Sequence, residues 1–437
     1  MERRIIAVLI GEIGAALIAV VYPSYGLLEL LFFTIGRPQD DRPNVAPLHI
    51  PMVLVIAIGI GCLIRLPSIL GPFMAGIKRL WIILLLYALI ALSAMNNWTQ
   101  WSSNRLYEFT TVVWLCLLTF ALVTSDKILR GYMGVLLASG AYVVIRVIRN
   151  PSSMHEEITG QTFDRMAIAK GGGGNFGGSN YLALLMVLTI FLSISLLIYY
   201  RSIWQRFILL ALAGGSGYVF FRANSRGASL GLAAGALCLW IMQKRKLKAT
   251  VIVTVIILFG SLLVPQSYWD RLQTVAHYEE DASATKRLEL WHIALTLIPA
   301  HPILGVGPDN FRLYAPNSPH DAYLQIASEV GLPALLVYIS MLVAALYSAW
   351  RARRLSSPDR EDSPFIYAAS QGVFCCLIAI VVQGFTTGLA HREFVYVMAS
   401  LAFCLRMFAE KKKIGEPVND ATSEQEAPLE PAWPTVS

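Results

Sequence analysis

Apolar runs close to the length of a bilayer crossing recur from one end of this chain to the other, and nothing else in it constrains the fold as strongly. A helix that spans a membrane needs about 20 mainly apolar residues. Candidate runs lie near 5–21, 26–36, 48–64, 80–95, 108–124, 131–148, 180–200, 207–221, 227–242, 249–264, 329–349, 365–388 and 392–408. Several are short for a crossing, so their ends extend into polar neighbours. Of the 437 residues, 56% are hydrophobic and 14% charged, whereas an ordinary soluble domain carries about 25% charge. The expected fold is an all-α polytopic membrane protein with about 12 transmembrane helices and a large extracytoplasmic loop that itself contains helices. Residues 1–410 read as one membrane-embedded domain. The polar, Pro- and Glu-rich stretch 411–437 reads as a disordered cytoplasmic tail.

The net charge of +7 is gathered largely in short junctions between apolar runs: YRSIWQR, QKRKLK, WRARR and AEKKK. This is the pattern of cytoplasmic loops. No basic soluble surface or recognised module points to nucleic acid. With Lys411, Lys412 and Lys413 inside, alternation puts 351–361, 243–248, 201–206, 125–130 and 65–79 inside as well. It puts 96–106, 149–179, 222–226, 265–320 and 389–391 outside. Thirteen crossings would leave Arg3 and Arg4 outside. The weakest run, 26–36, has eleven residues and holds Glu29, so it reads as a re-entrant or half helix, leaving twelve crossings. The N-terminal run lacks a clean cleavage site and reads as a retained first helix. The six cysteines lie in or beside apolar segments, and none forms a C-x-x-C pair.

The longest polar excursion, 265–320, lies on the expected outer face and is the candidate catalytic region. Ionisable groups anchored beside transmembrane helices mark the usual place for chemistry or transport in such proteins. Arg226, in NSRGASLGLAAG, stands at the outer end of a helix, either snorkelling to the interface or holding an anion. DASATKRLELWHIALTLIPAHP reads as an amphipathic helix that Asp281 can cap. Ser283, Arg287 and Trp291 share one face of it at i, i+4 and i+8. Arg287 is either a solvated charge or a two-pronged phosphate ligand. His320, in SPHDAYLQIASEVGLP, precedes a helix expected to enter the bilayer, with Tyr323 near its face. A neutral histidine takes up a proton near neutral pH. Asp309, Arg312 and Tyr323 are further candidates for holding substrate. The glycines of KGGGGNFGG let backbone approach a ligand or simply make a flexible loop. His277, His292 and His301 lack metal-ligand spacing, and there is no nucleotide-binding motif, so neither metal nor cofactor is expected.

SRGASLGLAAG, SATKRLELW, HPILGVGPDNF and PHDAYLQIASEVGLP, in that order, resemble the O-antigen ligase and polymerase superfamily of bacterial envelope glycosyltransferases. The resemblance is best over 180–350. FFTIGRPQDDRP is similar to the N-terminal region of ligase-like proteins linked to protein glycosylation or exosortase systems. The resemblance implies a metal-independent enzyme of the bacterial inner membrane, with its active site facing the periplasm. Its donor would be a glycan on undecaprenyl diphosphate. Its acceptor hydroxyl would lie on lipid A-core, on a second lipid-linked glycan or on protein, with lipid A-core ligation preferred. It also implies roles for three residues: Arg226 and Arg287 on the diphosphate, and His320 activating the acceptor. The family's His-Asn is His-Asp here, with Asp321 after His320. A transporter is the non-enzyme alternative. It would place ionisable groups near the bilayer midplane, where Glu12 and Glu29 are the few candidates.

The orientation is testable by itself. A cysteine placed at Asn317 should react with a membrane-impermeant thiol reagent from the outer side; reaction only after the inner membrane is permeabilised would reverse the topology.

Overall fold

The computed structural model describes residues 13–38, 50–149, 152–158, 161–167, 178–248, 250–251, 268, 282–357 and 364–414. Most of the predicted span 249–264, most of 265–281 including Asp281, most of the KGGGGNFGG stretch, most of RPQDDRP and the tail beyond Ile414 lie outside these residues. A helical stretch over 13–21 turns sharply at Tyr22 into α1 (Pro23–Ile35), and α2 (Ile50–Ile64) follows. Then come α3 (Leu66–Asn96), α4 (Gln100–Leu122), α5 (Asp126–Arg149), α6 (Ser179–Leu196), α7 (Ile203–Arg222) and α8 (Arg226–Ile241). The polar excursion contributes α9 (Ala282–Ala300), a short 3-10 turn (Asn310–Leu313) and α10 (Ala322–Glu329). Three helices close the chain: α11 (Leu332–Leu355), α12 (Pro364–Gly384) and α13 (Glu393–Ile414). One antiparallel hairpin, β1 (Ser152–Ile158) with β2 (Gln161–Ala167), interrupts this helical chain, inside the segment expected as a loop.

Among the described residues seven helices, α3–α7, α11 and α12, are long and apolar enough to cross a membrane, against the expected twelve or so. Predicted span 249–264 falls largely outside the described residues and 5–21 partly so, and the rest of the difference has identifiable causes. At 13, 15 and 16 residues, α1, α2 and α8 reach only about 20–24 Å, less than the roughly 30 Å hydrocarbon core. α13 carries Arg406, Glu410 and Lys411–Lys413 in its last turns. The predicted junction 65–79 is no loop: it belongs to α3, a single helix of 31 residues. The helix expected to run from Asp321 into the bilayer is also two. α10 stops at Glu329, and Gly331, at φ 105°, lets α11 set off in a new direction.

α6 lies at the centre, with every residue from Leu182 to Leu188 buried, as a helix apolar on all sides should be. It packs on α7 and α12; α12 also packs on α8 and α11, and α11 on α13. Small residues set the closest approaches: Gly231 of α8 lies on the Ala379 carbonyl of α12. Ile203, Trp204, Phe207 and Ile208 of α7 are exposed and form an apolar face suited to lipid.

Polar contacts connect the chain's junctions at two separate ends. At one, Arg79 bonds Glu410 at 3.4 Å, Lys412 pairs with Asp126, Arg130 lies over Tyr199 and Phe365, and Arg353 donates to the Met242 carbonyl at 3.0 Å. These are the basic junctions. At the other, Asn97 bonds the Gly305 carbonyl, Arg105 bonds Asp309, Ser225 bonds Asn180, Tyr181 bonds the Gly388 carbonyl and His391 bonds Glu329. These are the segments that alternation assigns to the outside.

At this second end the ILGVG and SEVGL loops interlock. Val306 N–H donates to the Ser328 carbonyl at 3.0 Å, Gly307 N–H to Glu329 at 2.8 Å and Leu332 N–H to Pro302 at 2.9 Å. Gly305 and Gly331 have positive φ, and a Cβ on either would strike the opposing backbone. Gly331→Ala should therefore cost about 1–3 kcal/mol and lower the thermal midpoint in detergent. Gly59→Ala, on α2 with open space around its Cβ position, should not; equal midpoints for all three proteins would remove the lock.

Candidate functional site

The turn between α12 and α13, residues 385–392, is where two of the predicted site segments meet, those of Arg226 and His320. α8 reaches it first. Asn224 takes left-handed backbone, φ 49°, which turns the chain into the helix. Ser225 caps the helix, accepting from Ala228 N–H at 3.3 Å, and donates to Asn180 Oδ1 at 2.8 Å. Arg226 is then the first residue of α8, half-buried, and Gly227 presses so closely on Thr386 that no Cβ would fit. The start of α6 holds the same turn: Gln383 donates to the Asn180 carbonyl at 2.9 Å, and the Tyr181 hydroxyl to Gly388 at 3.2 Å. Arg392 stacks on Tyr181, 3.8 Å from the ring centroid.

The segment carrying His320 closes on the turn from another side. His320 is half-buried and has left-handed backbone, φ 54°. Asp321 caps α10, its Oδ1 accepting from the N–H groups of Tyr323 and Leu324 at 2.8 Å each. The Tyr323 hydroxyl donates to the Val381 carbonyl at 2.9 Å, and its ring lies 4.5 Å from that of Phe385. Gly388 sits beside Gln325 and Ser318. α9 is joined to this segment by Trp291, whose indole N–H donates to the Pro319 carbonyl at 2.9 Å. Arg287 is half-buried one helical turn before Trp291. Arg226 and His320 thus stand on segments that meet at this turn, and the helix of Arg287 is joined to them through the His320 segment.

The remaining predicted residues are engaged differently. Asp309 lies between Arg105 at 3.2 Å and Arg312 at 3.1 Å, and Arg105 also pairs with Glu108 at 2.6 Å. Asn310 beside it bonds Thr99 and the carbonyls of Asn97 and Val306, so this network ties the excursion to α3 and α4. The hydroxyl of Tyr323 is spent on a backbone carbonyl, and burial pushes its pKa up to about 12. Burial also raises the Asp321 carboxyl above its ordinary range, outweighing the two capping bonds, which act the other way. Among the described residues no group of three His, Cys, Asp or Glu side chains could hold a metal ion.

Sequence reading missed Arg105, Asn180, Glu329 and His391. For Glu329 and His391 a signal existed: an acid at the head of a predicted span, and a histidine in a predicted outer turn, beside a membrane. Asn180 and Arg105 carried none, because only the fold shows what their side chains meet.

Asp321 is a cap first, which gives it a distinct mutational signature. Asp321→Ala should cost about 1 kcal/mol, whereas Asp321→Asn keeps an oxygen for both N–H groups. The folded pKa lies above the unfolded one, so this group's contribution to stability is full at low pH and is lost as pH rises through the folded value. Asp321→Asn should flatten that fall in a thermal-midpoint series against pH; an unchanged slope would show that Asp321 does not titrate with folding.

Residues 210–339, which contain Arg226, Arg287 and His320, match the family described as O-antigen ligase. No curated protein and no solved structure matches the chain. The match runs from within α7 through the excursion to the start of α11, so this part of the polytopic membrane protein is similar to the O-antigen ligase family.

Proposed function

We propose that this protein transfers a glycan from undecaprenyl diphosphate to an acceptor hydroxyl at the periplasmic face of the bacterial inner membrane. What supports the reading is that the Arg226 and His320 segments meet at the 385–392 turn, that the Arg287 helix is joined to the His320 segment through Trp291, and that all three residues lie in the stretch that matches the family. A hydroxyl is a weak nucleophile until its proton is removed. His320 accepts that proton as the oxygen attacks the anomeric carbon. The bond from that carbon to the diphosphate oxygen breaks, and its electron pair leaves with the diphosphate. Arg226 and Arg287 hold the charge that develops there. Direct attack inverts the anomeric centre. The donor brings its own leaving group, so the step needs neither a nucleotide nor a divalent metal.

The preferred acceptor is lipid A-core, on the strength of the ligase family match. Asp309 and Arg312, and Tyr323 through its ring, border the substrate path in this reading.

Purified protein supplied with lipid-linked glycan and lipid A-core in chelator should turn over. His320→Ala should lose about 10²–10⁴-fold in turnover with donor affinity largely kept. Arg226→Ala and Arg287→Ala should lose donor affinity as well, and lysine should rescue only partly. Normal transfer by folded His320→Ala protein would overturn its role as base, and activity restored only by a metal would overturn metal independence. Exclusive growth on a second lipid-linked glycan, or transfer to protein, would replace the ligase assignment with a polymerase or a protein glycosyltransferase.

A further inference from the structure

Glu329 is the last residue of α10, the helix that begins directly after His320 and Asp321. Its side chain is 1% exposed, and its Oε2 lies 3.0 Å from Nε2 of His391, itself 3% exposed. Gln325 donates to the same carboxylate at 3.3 Å from one turn earlier. The backbone of Glu329 is equally committed: its carbonyl accepts from Ser93 of α3 at 2.9 Å and from Gly307 at 2.8 Å. Arg105 of α4 lies within electrostatic reach, and the ring of Phe109 meets that of His391 edge-on at 6.4 Å. On the other side, His391 belongs to the turn that receives Gly227 at Thr386 and carries Arg392 on Tyr181. The pair is therefore a direct side-chain bond between the His320 helix and the turn on which the Arg226 helix rests.

Removing two such polar groups from water is costly, and leaving either one alone costs more. A pair of this kind at the end of a membrane bundle calls for a role beyond packing. We propose that Glu329 and His391 are positioning residues: their hydrogen bond fixes the distance between the general base His320 and the diphosphate-binding Arg226. This rests on the reading of the site as a glycan transferase. Neither residue touches the reacting atoms. A shift of about 1 Å between reacting groups is enough to cost on the order of 10²-fold in rate.

The chemistry of the cluster makes the prediction specific. What matters is the bond's geometry, so an amide of the same length should replace the carboxylate. In Glu329→Gln the new oxygen accepts from His391. The new NH2 group donates to Gln325 Oε1, which is buried without a partner, once the Gln325 amide turns over. Glu329→Asp keeps the charge but falls one methylene short.

Glu329→Ala, Glu329→Asp and His391→Ala should each lose about 10–100-fold in turnover, with donor affinity within about twofold of wild type. Glu329→Gln should keep most of the activity. Glu329→Ala combined with His391→Ala should be no worse than either alone, since both remove one bond. Spin labels at Arg222→Cys and Asn317→Cys read the geometry without any substrate: one narrow distance in the parent protein, broadened by Glu329→Ala and restored in Glu329→Gln. Undiminished turnover in folded Glu329→Ala, multiplicative losses in the double variant, or an unbroadened distance would each overturn the proposal. If the alanine variants do not fold, Glu329→Gln against Glu329→Asp decides it: equal turnover in the two overturns it. A parent protein that transfers no glycan would reject the proposed function, and the distance measurement would still judge the pair.

Discussion

Everything at the outer-segment end of this bundle depends on satisfying the backbone where the chain leaves its helices. Irregular backbone beside a bilayer persists only where protein supplies partners for its N–H and C=O groups. Here two loops supply them to each other. Val306, Gly307 and Leu332 donate to carbonyls of Ser328, Glu329 and Pro302, while Ser93 reaches in from α3 to the carbonyls of Leu304 and Glu329. The close approach needs glycine at 305 and 331, where a Cβ would strike backbone. This lock explains why α10 is a helix of 8 residues and not the first turns of α11. It also holds His320 in a segment of its own, off the transmembrane helix.

The charges obey the same rule. Asp309 is bracketed by Arg105 and Arg312, and Glu329 is met by His391 and Gln325. An unpaired ion in such a place would neutralise itself or open the structure to water. At the opposite end, Arg79, Arg406, Glu410, Lys412 and Asp126 pair near the surface, where each bond is worth little and only charge balance matters. The two ends therefore use charge differently: for specific geometry in one, for general anchoring in the other.

How much of this was legible in the sequence follows from the range of each interaction. Helix existence is set by local apolar runs, and α4, α5, α6, α7, α11 and α12 stand close to the predicted spans. Arg226, Arg287 and His320 stand out in the sequence because each sits in a short ordered motif, and the roles proposed for them rest on that resemblance. Boundaries were less legible. Nothing in 65–79 announces that α3 begins at Leu66, because Pro67 and Pro72 read locally as breakers; Pro67 sits in the first turn, which tolerates proline well, and Pro72 lies within the helix. The hairpin at 152–167 hides in a polar stretch with no apolar alternation. The break at Gly331 was invisible for a different reason: it is imposed by Ile303, nearly thirty residues upstream. The Glu329–His391 bond spans 62 positions, and no local pattern reports a contact of that reach.

Backbone strain gives the same picture from another direction. Four described residues other than glycine have positive φ, and three of them, Asn224, Asp309 and His320, lie at the outer-segment end. Each such residue costs of order 1 kcal/mol or more and persists only when its surroundings over-determine it. The surroundings are identifiable. Asn224 is followed by a capped helix and Asp309 by a paired network. His320 lies between Pro319, whose carbonyl Trp291 holds, and Asp321, whose carboxylate holds two N–H groups of α10. A histidine that only filled space would gain nothing from this arrangement, since an ordinary loop conformation would bury it more cheaply. A histidine that must present one ring nitrogen to a substrate in a fixed direction gains from all of it. The strain at His320 therefore weighs toward the proposed chemical role, independently of the family that the surrounding stretch matches.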